Sequence, residues 1–470
     1  MKYFLSIVLL ASLAFSYPYP FAAEQCTSTV CLIENGCQCS SMDSPIEKEQ
    51  TPQFVTLAFN DAVTNAIYET YLNPLLVGRT NADGTQIGAT FYVPHEYTDY
   101  ERVNNLYNNN FEIAVHSISK NPLTSYWQEA SEDLLFDEFN GQRIVVSQFA
   151  NIPIDDIIGA RTPNLAINGD TTFSAYKRSG IEYDNSWSAL STDRYFPYTL
   201  DFKSQQPCQI GVCPTESFPG MWVLPMISQV DSNSHQCNAL AGCSINAESP
   251  DDVKNWLLEQ FERHYSSERS PITFNVNSAF FEISEFNYPG FEAFLDELKN
   301  FNDVFVVSHK EVRDWSANPV PLGEYIRTST DNSASCSPVV CELVKDEERR
   351  YMKSCSACPE VYPWVGNPLG EKEPEPTDEP TDEPTDEPTD EPTDEPTDEP
   401  TDEPTDEPTD APTDEPTDTP TDAPTEETTE PQQEFTNKPA VQPINPSVSP
   451  VDISSDYSNI KQWLLVIFIK

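Results

Sequence analysis

Short apolar runs recur between residues 53 and 309, and longer amphipathic stretches separate several of them. A strand that is apolar throughout is buried on both faces, which is typical of a parallel sheet covered by helices. The runs predicted as strands span residues 54–59, 89–93, 111–116, 157–162, 180–186, 221–226, 272–277 and 303–309. Helices are predicted after Trp127, where RIVVSQF occupies 143–149, and over 249–265 and 289–301.

This alternation of strands and helices over about 270 residues favours an α/β fold, a (β/α) barrel that spans residues 50–325. In such a barrel the functional groups sit at the carboxyl ends of the strands. Several polar residues fall where the predicted strands should stop: Asn60, Asp61, His116, Arg161, Asp184 and Asn277. We therefore expect these side chains to converge on one edge of the sheet.

The first sixteen residues have the composition of a secretory signal peptide. Lys2 precedes an apolar run at 4–13, and Ala14 and Ser16 supply the small residues of a cleavage site. The apolar run is too short for a membrane anchor, which is the alternative. The sequence thus predicts a signal peptide at 1–16 and a secreted protein of the extracellular matrix.

Twelve cysteines occur in close clusters, and in an exported chain they indicate disulfides rather than zinc ligands. They define a Cys-rich N-terminal segment at 24–42 and a Cys-rich C-terminal extension at 326–367. The pairing is left open, although each close pair closes its own loop most simply. The candidates are Cys26, Cys31, Cys37, Cys39, Cys208, Cys213, Cys237, Cys243, Cys336, Cys341, Cys355 and Cys358.

The formal net charge of −51 is concentrated in one repeat. Residues 371–430 follow a PTDE pattern and hold 27 Asp and Glu against one Lys. Proline at every fourth position excludes helices and sheets, so this stretch is predicted to be a disordered acidic stalk. Such a stalk suits loose attraction of Ca²⁺, and it excludes nucleic acid as a partner.

A polar tail follows at 431–470 and ends in a short apolar run at 463–469. Seven apolar residues are too few to span a bilayer, so membrane attachment is not expected. A truncated lipid-anchor signal is the alternative interpretation of this run.

Several segments together resemble a known family in their order and spacing. They are TPQFVTLAFNDA at Thr51, GATFYV at Gly88, FEIAVHSIS at Phe111, GARTPNL at Gly159, YDNS at Tyr183, FERHYSSERSPITFNVNSAF at Phe261 and RRYMKSCSACPEVYPWVGNP at Arg349. The family is the polysaccharide deacetylases, NodB-like proteins of carbohydrate esterase family 4, and the chain resembles their secreted arthropod chitin deacetylases. The resemblance implies an irregular (β/α) barrel of the polysaccharide deacetylase type with small disulfide-rich flanks.

The resemblance also implies which residues occupy the metal site. The family reads TFDD and HSxxH where this chain has LAFNDA at 57–62 and HSISK at 116–120. Asp61 and His116 match two metal ligands, and Lys120 takes the place of the third, a histidine. An ammonium group offers no lone pair and repels a divalent cation, so Lys120 is not expected to bind metal.

The remaining catalytic positions are also altered. Asn60 stands at the position of the catalytic base, and Asn277 at that of the catalytic acid. A carboxamide neither keeps nor gives up a proton near neutral pH, so both functions are predicted to be lost. Arg161 matches the arginine that orients the base, and Asp184 the carboxylate that tunes the acid. The backbone amide of Asn164 matches an oxyanion donor.

Less specific interpretations compete with these assignments. Asp61 and His116 could be ordinary hydrogen-bonded residues at strand ends. Glu282 and Glu285 lie near the last motif and offer carboxylates for a displaced metal site. The remaining histidines, predicted to be structural, are His95, His235, His264 and His309.

The favoured hypothesis is a secreted, catalytically inactive deacetylase-like protein that binds chitin or another N-acetylglucosamine polymer. It requires no cofactor. One alternative is an active metal-dependent deacetylase with zinc or another divalent metal in a retained site. A further alternative is an acidic matrix protein whose repeat attracts Ca²⁺.

Overall fold

The computed structural model describes residues 22–327 and 332–372. The predicted signal peptide at 1–16 and the tail at 431–470 lie outside these residues. The predicted acidic stalk at 371–430 also lies outside them, apart from its first two residues.

The described residues contain strands that agree with the predicted runs. The strands are β1 Gln53–Phe59, β2 Thr90–Val93, β3 Glu112–Val115, β4 Gly159–Ala160, β5 Tyr183–Asp184, β6 Ser188–Ala189, β7 Tyr198–Leu200, β8 Phe218–Val223, β9 Met226–Ile227, β10 Gln229–Val230, β11 Gln236–Cys237, β12 Ile272–Val276, β13 Val304–Val307, β14 Val339–Lys345 and β15 Glu348–Ser354.

The helices alternate with the early strands and follow the later ones. They are α1 Asn65–Ile67, α2 Asn73–Leu76, α3 Tyr100–Asn108, α4 Thr124–Gln128, α5 Glu132–Ala150, α6 Gly169–Arg178, α7 Pro250–Tyr265, α8 Ser278–Ile283, α9 Asn287–Leu298 and α10 His309–Ala317. A π-helical turn, Tyr68–Leu72, joins α1 to α2, and short 3₁₀ helices are Ile33–Asn35, Lys48–Gln50, Ile154–Asp156, Pro163–Leu165 and Leu240–Gly242. The predicted helix at 143–149 is part of α5, the one at 249–265 matches α7, and the one at 289–301 overlaps α9, which ends three residues earlier.

The central sheet is curled and parallel in nearly all of its pairs. Its order is β12, β1, β2, β3, β4, β5, β8, β7, and β7 alone in this order pairs in the antiparallel sense. One edge of β1 pairs with β12, and the other pairs with β13 in its first half and with β2 in its second half. The predicted α/β fold, an irregular barrel, is confirmed.

The barrel is open, and side chains bridge the gap. No ladder joins β12 to β8 among the described residues. Instead, the side-chain amide of Gln229 in β10 donates to the Thr273 carbonyl in β12 at 3.1 Å. A short parallel pair, β6 with β9, extends the wall next to this bridge.

Alternate residues of each strand face the helices and the barrel interior, as the two-residue period of a strand requires. In β1, Val55 and Leu57 pack with the helices, whereas Phe54 packs inside with Tyr92 and Trp222. The interior also holds polar side chains. His309 Nδ1 bonds to Tyr92 Oη at 2.8 Å, and its Nε2 lies 3.1 Å from the Thr56 and Thr273 hydroxyls.

Six disulfides cross-link regions outside the central sheet. Cys208–Cys213 and Cys237–Cys243 close short loops, as the simplest pairing predicts. The N-terminal segment has a nested arrangement, with Cys31–Cys37 inside Cys26–Cys39. In the C-terminal extension the bonds cross in sequence, Cys336–Cys355 and Cys341–Cys358, so the zinc alternative at Cys355 and Cys358 does not apply. Within the described ranges, no helix has the length and apolar character needed to cross a bilayer.

A glycine at the start of β2 permits the close approach of β13. A Cβ on Gly88 would lie 2.4 Å from the Ser308 backbone nitrogen and 2.6 Å from the Val307 carbonyl carbon. We expect Gly88→Ala to destabilise the fold by about 1–3 kcal/mol, because backbone atoms cannot rotate away. Urea denaturation measures the loss. Gly323→Ala, where the added methyl meets no atom within 4 Å, is the control. Equal stability of the two variants would contradict this account.

Candidate functional site

The predicted site residues lie along one rim of the barrel. Because β1, β2, β3, β4, β5 and β12 run parallel, their carboxyl ends share one edge of the sheet. Asn60 and Asp61 follow β1, His116 follows β3, Arg161 follows β4, and Asn277 follows β12. Asp184 is the last residue of β5. The predicted convergence on one edge is confirmed.

A buried glutamate shapes the loop that carries His116 and Lys120. Glu138, on α5, accepts hydrogen bonds from the backbone amides of Ile118 at 3.0 Å and Ser119 at 2.9 Å. It also accepts from the Ser119 hydroxyl and from Tyr126 Oη. Burial raises the pKa of Glu138, and these donors oppose the shift. The carboxylate thus replaces the backbone partners that a tight loop lacks.

Lys120 turns its side chain back into the rim. Its ammonium donates to the Asn60 carbonyl at 2.7 Å, which links the loop after β3 to the loop after β1. Its backbone is left-handed, with φ of 44°, and its amide donates to Ser117 Oγ at 3.0 Å. Burial lowers the pKa of Lys120, and the negative charge of Asp61 opposes that shift.

Asp61 and Asn277 both engage the first turn of α8. Asp61 Oδ2 accepts from the Ser278 amide at 2.6 Å. Asn277 is the N-cap of α8, and its Oδ1 accepts from the Phe280 amide at 3.1 Å. Both residues therefore satisfy backbone donors that the start of a helix leaves free.

His116 is buried and held in one tautomer. Its Nδ1 lies 2.8 Å from the Arg161 carbonyl, which can only accept, so Nδ1 carries the proton and Nε2 keeps a lone pair. Burial lowers the pKa of His116 well below its usual value, and the positive charges of Lys120 and Arg161 lower it further. The ring is therefore neutral near pH 7.

Arg161 is fully buried, and its guanidinium is bound by neutral groups. Nη1 donates to Asn275 Oδ1 at 2.8 Å, Nε donates to the Asn185 carbonyl at 3.2 Å, and Nη2 donates to Asn185 Oδ1. The guanidinium carbon lies 4.1 Å from the centre of the Tyr92 ring. Arg161 makes no hydrogen bond to Asn60 among the described residues, so the two are near on the rim but not joined.

Asp184 is buried behind the rim and faces its own loop. Its carboxylate accepts from the Ser186 amide at 2.9 Å, the Ser186 hydroxyl at 2.6 Å and the Trp187 amide at 3.1 Å. Burial raises the pKa of Asp184 to about 6, although these donors and Arg161 oppose the shift. Among the described residues Asp184 makes no hydrogen bond to Asn277, whose side chain caps α8 instead.

Asn164 lies on an exposed turn with φ of 56°, and its side-chain amide donates to the Pro122 carbonyl at 3.1 Å. The other histidines have structural partners or lie outside the rim. His95 bonds to Tyr100, His264 to Ser270, and exposed His235 lies 3.8 Å from Asp231. Glu282, in α8, and Glu285, just after it, are exposed on the surface.

The donor set of the rim does not fit a resident divalent metal. His116 Nε2 and the second oxygen of Asp61 are the two ligand atoms that this arrangement offers, and the third position holds an ammonium. Among the described residues, the one cluster of three metal-binding side chains is Cys26, Cys31 and Cys39, and all three are in disulfides. We therefore derive no chemical step from a metal.

Sequence motifs identified the rim residues but missed those that support them. Glu138 supports the loop after β3, and Asn185 and Asn275 bind the Arg161 guanidinium. None of the three has a role predicted from the sequence. For Glu138, the sequence did contain a signal. Glu138 and Gln142 lie on the same face of α5 as buried Leu135 and Phe139, where a polar residue needs a partner.

Two proteins of Bombyx mori are similar to this chain. Chitin deacetylase 8 is 39% identical over 376 residues, which cover 77% of this chain and 98% of that protein. Chitin deacetylase 1 is 31% identical over 382 residues, which cover 75% of this chain and 70% of that protein. No protein-family model matches the chain. The chain belongs to the chitin deacetylase family of NodB-like polysaccharide deacetylases, as its motifs predict.

Solved structures of similar architecture are more distant. A family 4 carbohydrate esterase from Streptomyces lividans shares 12% identity, with 54% of this chain and 91% of that chain covered and a TM-score of 0.30. A CE4 family pseudoenzyme from Bacillus anthracis shares 12% identity, with 56% and 66% covered and a TM-score of 0.34. At this level of similarity neither structure carries an argument about the present site.

The buried carboxyl of Asp184 makes stability depend on pH. Its pKa is about 6 in the folded chain and near 3.8 when unfolded, so the folded form binds more protons between these values. We compare the free energy of unfolding of the natural protein with that of Asp184→Asn. The natural protein should lose stability relative to the variant as pH rises from about 4 to about 6, by about 3 kcal/mol in total. Urea denaturation of both proteins across this range measures the difference. A difference that rises with pH would contradict the assignment.

Proposed function

We propose that this protein is secreted and binds a chitin-type polymer of N-acetylglucosamine without hydrolysing it. The observation that carries the proposal is the hydrogen bond from the Lys120 ammonium to the Asn60 carbonyl. It fixes a cation, bound to the Asn60 backbone, where the family motif has a metal ligand. The side chain at the predicted base position, Asn60, is a neutral carboxamide. Amide hydrolysis needs a base to activate water and an acid for the leaving amine.

The acid position supports the same conclusion. The Asn277 oxygen accepts a hydrogen bond from the Phe280 amide as a helix cap, and a carboxamide has no proton to give. Loss of a general acid or base typically lowers a rate by about 10² to 10⁴ for each group. Loss of both groups leaves the rim without either proton transfer that deacetylation requires.

The rim retains features suited to a neutral sugar chain. Three large apolar side chains are well exposed: Tyr97 at 68% in the loop after β2, Leu123 at 62% in the loop after β3, and Ile283 at 64% at the end of α8. Such surfaces can pack against the apolar faces of sugar rings. The half-buried Asn60 carboxamide offers a donor and an acceptor to an acetamido group. The overall negative charge disfavours an anionic polymer.

Binding to chitin beads tests the affinity for the polymer. We expect the full chain to bind, and Tyr97→Ala and Leu123→Ser each to raise the apparent Kd about fivefold, the loss of about 1 kcal/mol of contact. Tyr351→Ala and Val30→Ser remove equally exposed side chains from other surfaces and serve as controls. No binding by the full chain, or equal losses in the controls, would contradict the proposal.

The names of the two Bombyx mori relatives favour a second candidate, an active deacetylase. Acetate release from chitin oligomers, with zinc or cobalt added, separates the two. We expect no release from the natural sequence. The triple variant Asn60→Asp, Lys120→His and Asn277→His is a positive control, since it restores the residue types of the family motifs. Turnover by the natural sequence that Asp61→Asn abolishes would establish the enzyme instead.

The attraction of Ca²⁺ by the acidic repeat stays a prediction, because the repeat lies almost wholly outside the described residues. Calorimetric titration with Ca²⁺, before and after deletion of 371–430, tests it. We expect weak, multiple binding that the deletion removes and that rises in affinity as ionic strength falls. Unchanged Ca²⁺ uptake after the deletion would assign any binding to the folded part.

A further inference from the structure

We propose that the Lys120 ammonium holds the rim loops together in place of a bound metal ion. The site would then keep its shape without metal, and a single substitution would convert it into a metal-binding site. This inference concerns how the rim is held, and it applies whether or not the polymer binds.

The Lys120 ammonium connects two rim loops. Lys120 Nζ reaches from the loop after β3 to the carbonyl of Asn60 in the loop after β1, at 2.7 Å. The next residue, Asp61, is held by the Ser278 amide in the loop after β12 at 2.6 Å. Three rim loops thus meet around one positive and one negative charge. A carbonyl oxygen and a carboxylate are also the groups that a bound cation would attract.

The charges around Lys120 disfavour a bound metal ion. Asp61 attracts the Lys120 charge without forming a direct ion pair. On the other side, His116 is kept neutral by burial and by the nearby charges of Lys120 and Arg161. A divalent ion bound here would have to join two fixed cations, and the repulsion between like charges in a partly buried site is strong. The ammonium therefore excludes the ion that it replaces.

Hydrogen bonds hold the backbone of Lys120 and its loop in place. Its amide donates to Ser117 Oγ at 3.0 Å, and Glu138 anchors the amides of Ile118 and Ser119 in the same loop. The left-handed backbone at Lys120 is one that histidine tolerates better than most residues. Replacing the lysine by histidine should therefore leave the loop intact and supply a third ligand, a second nitrogen, in addition to Asp61 and His116.

Metal content and thermal unfolding of the full chain test the natural protein. After incubation with excess ZnCl₂ and desalting, we expect no stoichiometric zinc in the folded chain. The midpoint of thermal unfolding should be the same with EDTA and with ZnCl₂. One tightly held zinc per chain, with a midpoint that EDTA lowers, would overturn the proposal.

Variants at this position supply the decisive comparison. Lys120→Met removes the bridge and should lower the unfolding midpoint by about 2–4 °C or more, with no response to metal. Lys120→His should bind close to one Co²⁺ per chain, visible by its absorption spectrum, with a midpoint that rises in the metal and falls in EDTA. Lys310→Met and Lys310→His alter an exposed lysine and are the matched controls.

Asp61 provides the check on mechanism. Asp61→Asn should abolish Co²⁺ binding in the Lys120→His background, and it should reduce the cost of Lys120→Met, because the cation then has less charge to balance. If Lys120→Met does not fold, the metal-dependent midpoint of Lys120→His still tests the proposal. A Lys120→Met variant as stable as the natural protein, or a Lys120→His variant that binds no metal, would overturn it.

Discussion

A buried guanidinium without a carboxylate partner organises the interior of this barrel. Arg161 follows β4, hydrogen-bonds to Asn275 in β12 and to Asn185 after β5, and stacks on Tyr92 in β2. These strands lie on opposite sides of the open seam, so the arginine spans an interior that no ladder closes. Its hydrogen-bond partners are neutral, and its charge lowers the pKa of His116 and opposes the upward pKa shift of Asp184.

The residues at the altered rim positions are mutually consistent in the electrostatic field of Arg161. Asn60 removes a negative charge, and its backbone carbonyl accepts a hydrogen bond from Lys120, which adds a positive one. Asn277 gives up a proton donor and caps α8. The side chains of Lys120 and Asn277 therefore each have a structural partner, whereas Asn60 is bound through its backbone. Fixed charges and helix caps thus hold the rim.

Much of the fold could be predicted from local pattern. The runs around Leu57, Ile113 and Phe274 are buried on both faces. Their apolar residues indicated a parallel sheet, which placed the polar residues that follow them at one edge. The pairing of Cys208 with Cys213 followed from proximity in sequence. The crossed bonds of the C-terminal extension did not, because the hairpin of β14 and β15 sets which cysteines meet. The support from Glu138 also escaped prediction, since its partners are backbone amides of a distant loop.

The sequence by itself determined the chemical character of the site: which residue types stand at the rim, and that the positions predicted for the base and the acid hold carboxamides. Residue type fixes proton affinity and charge, and motif spacing fixes strand ends. The tertiary structure alone decided which groups touch. It joined Lys120 to Asn60, turned Asn277 and Asp61 to α8, and surrounded Arg161 with amides. These contacts join segments far apart in the chain, and packing of the whole barrel selects them rather than any local preference.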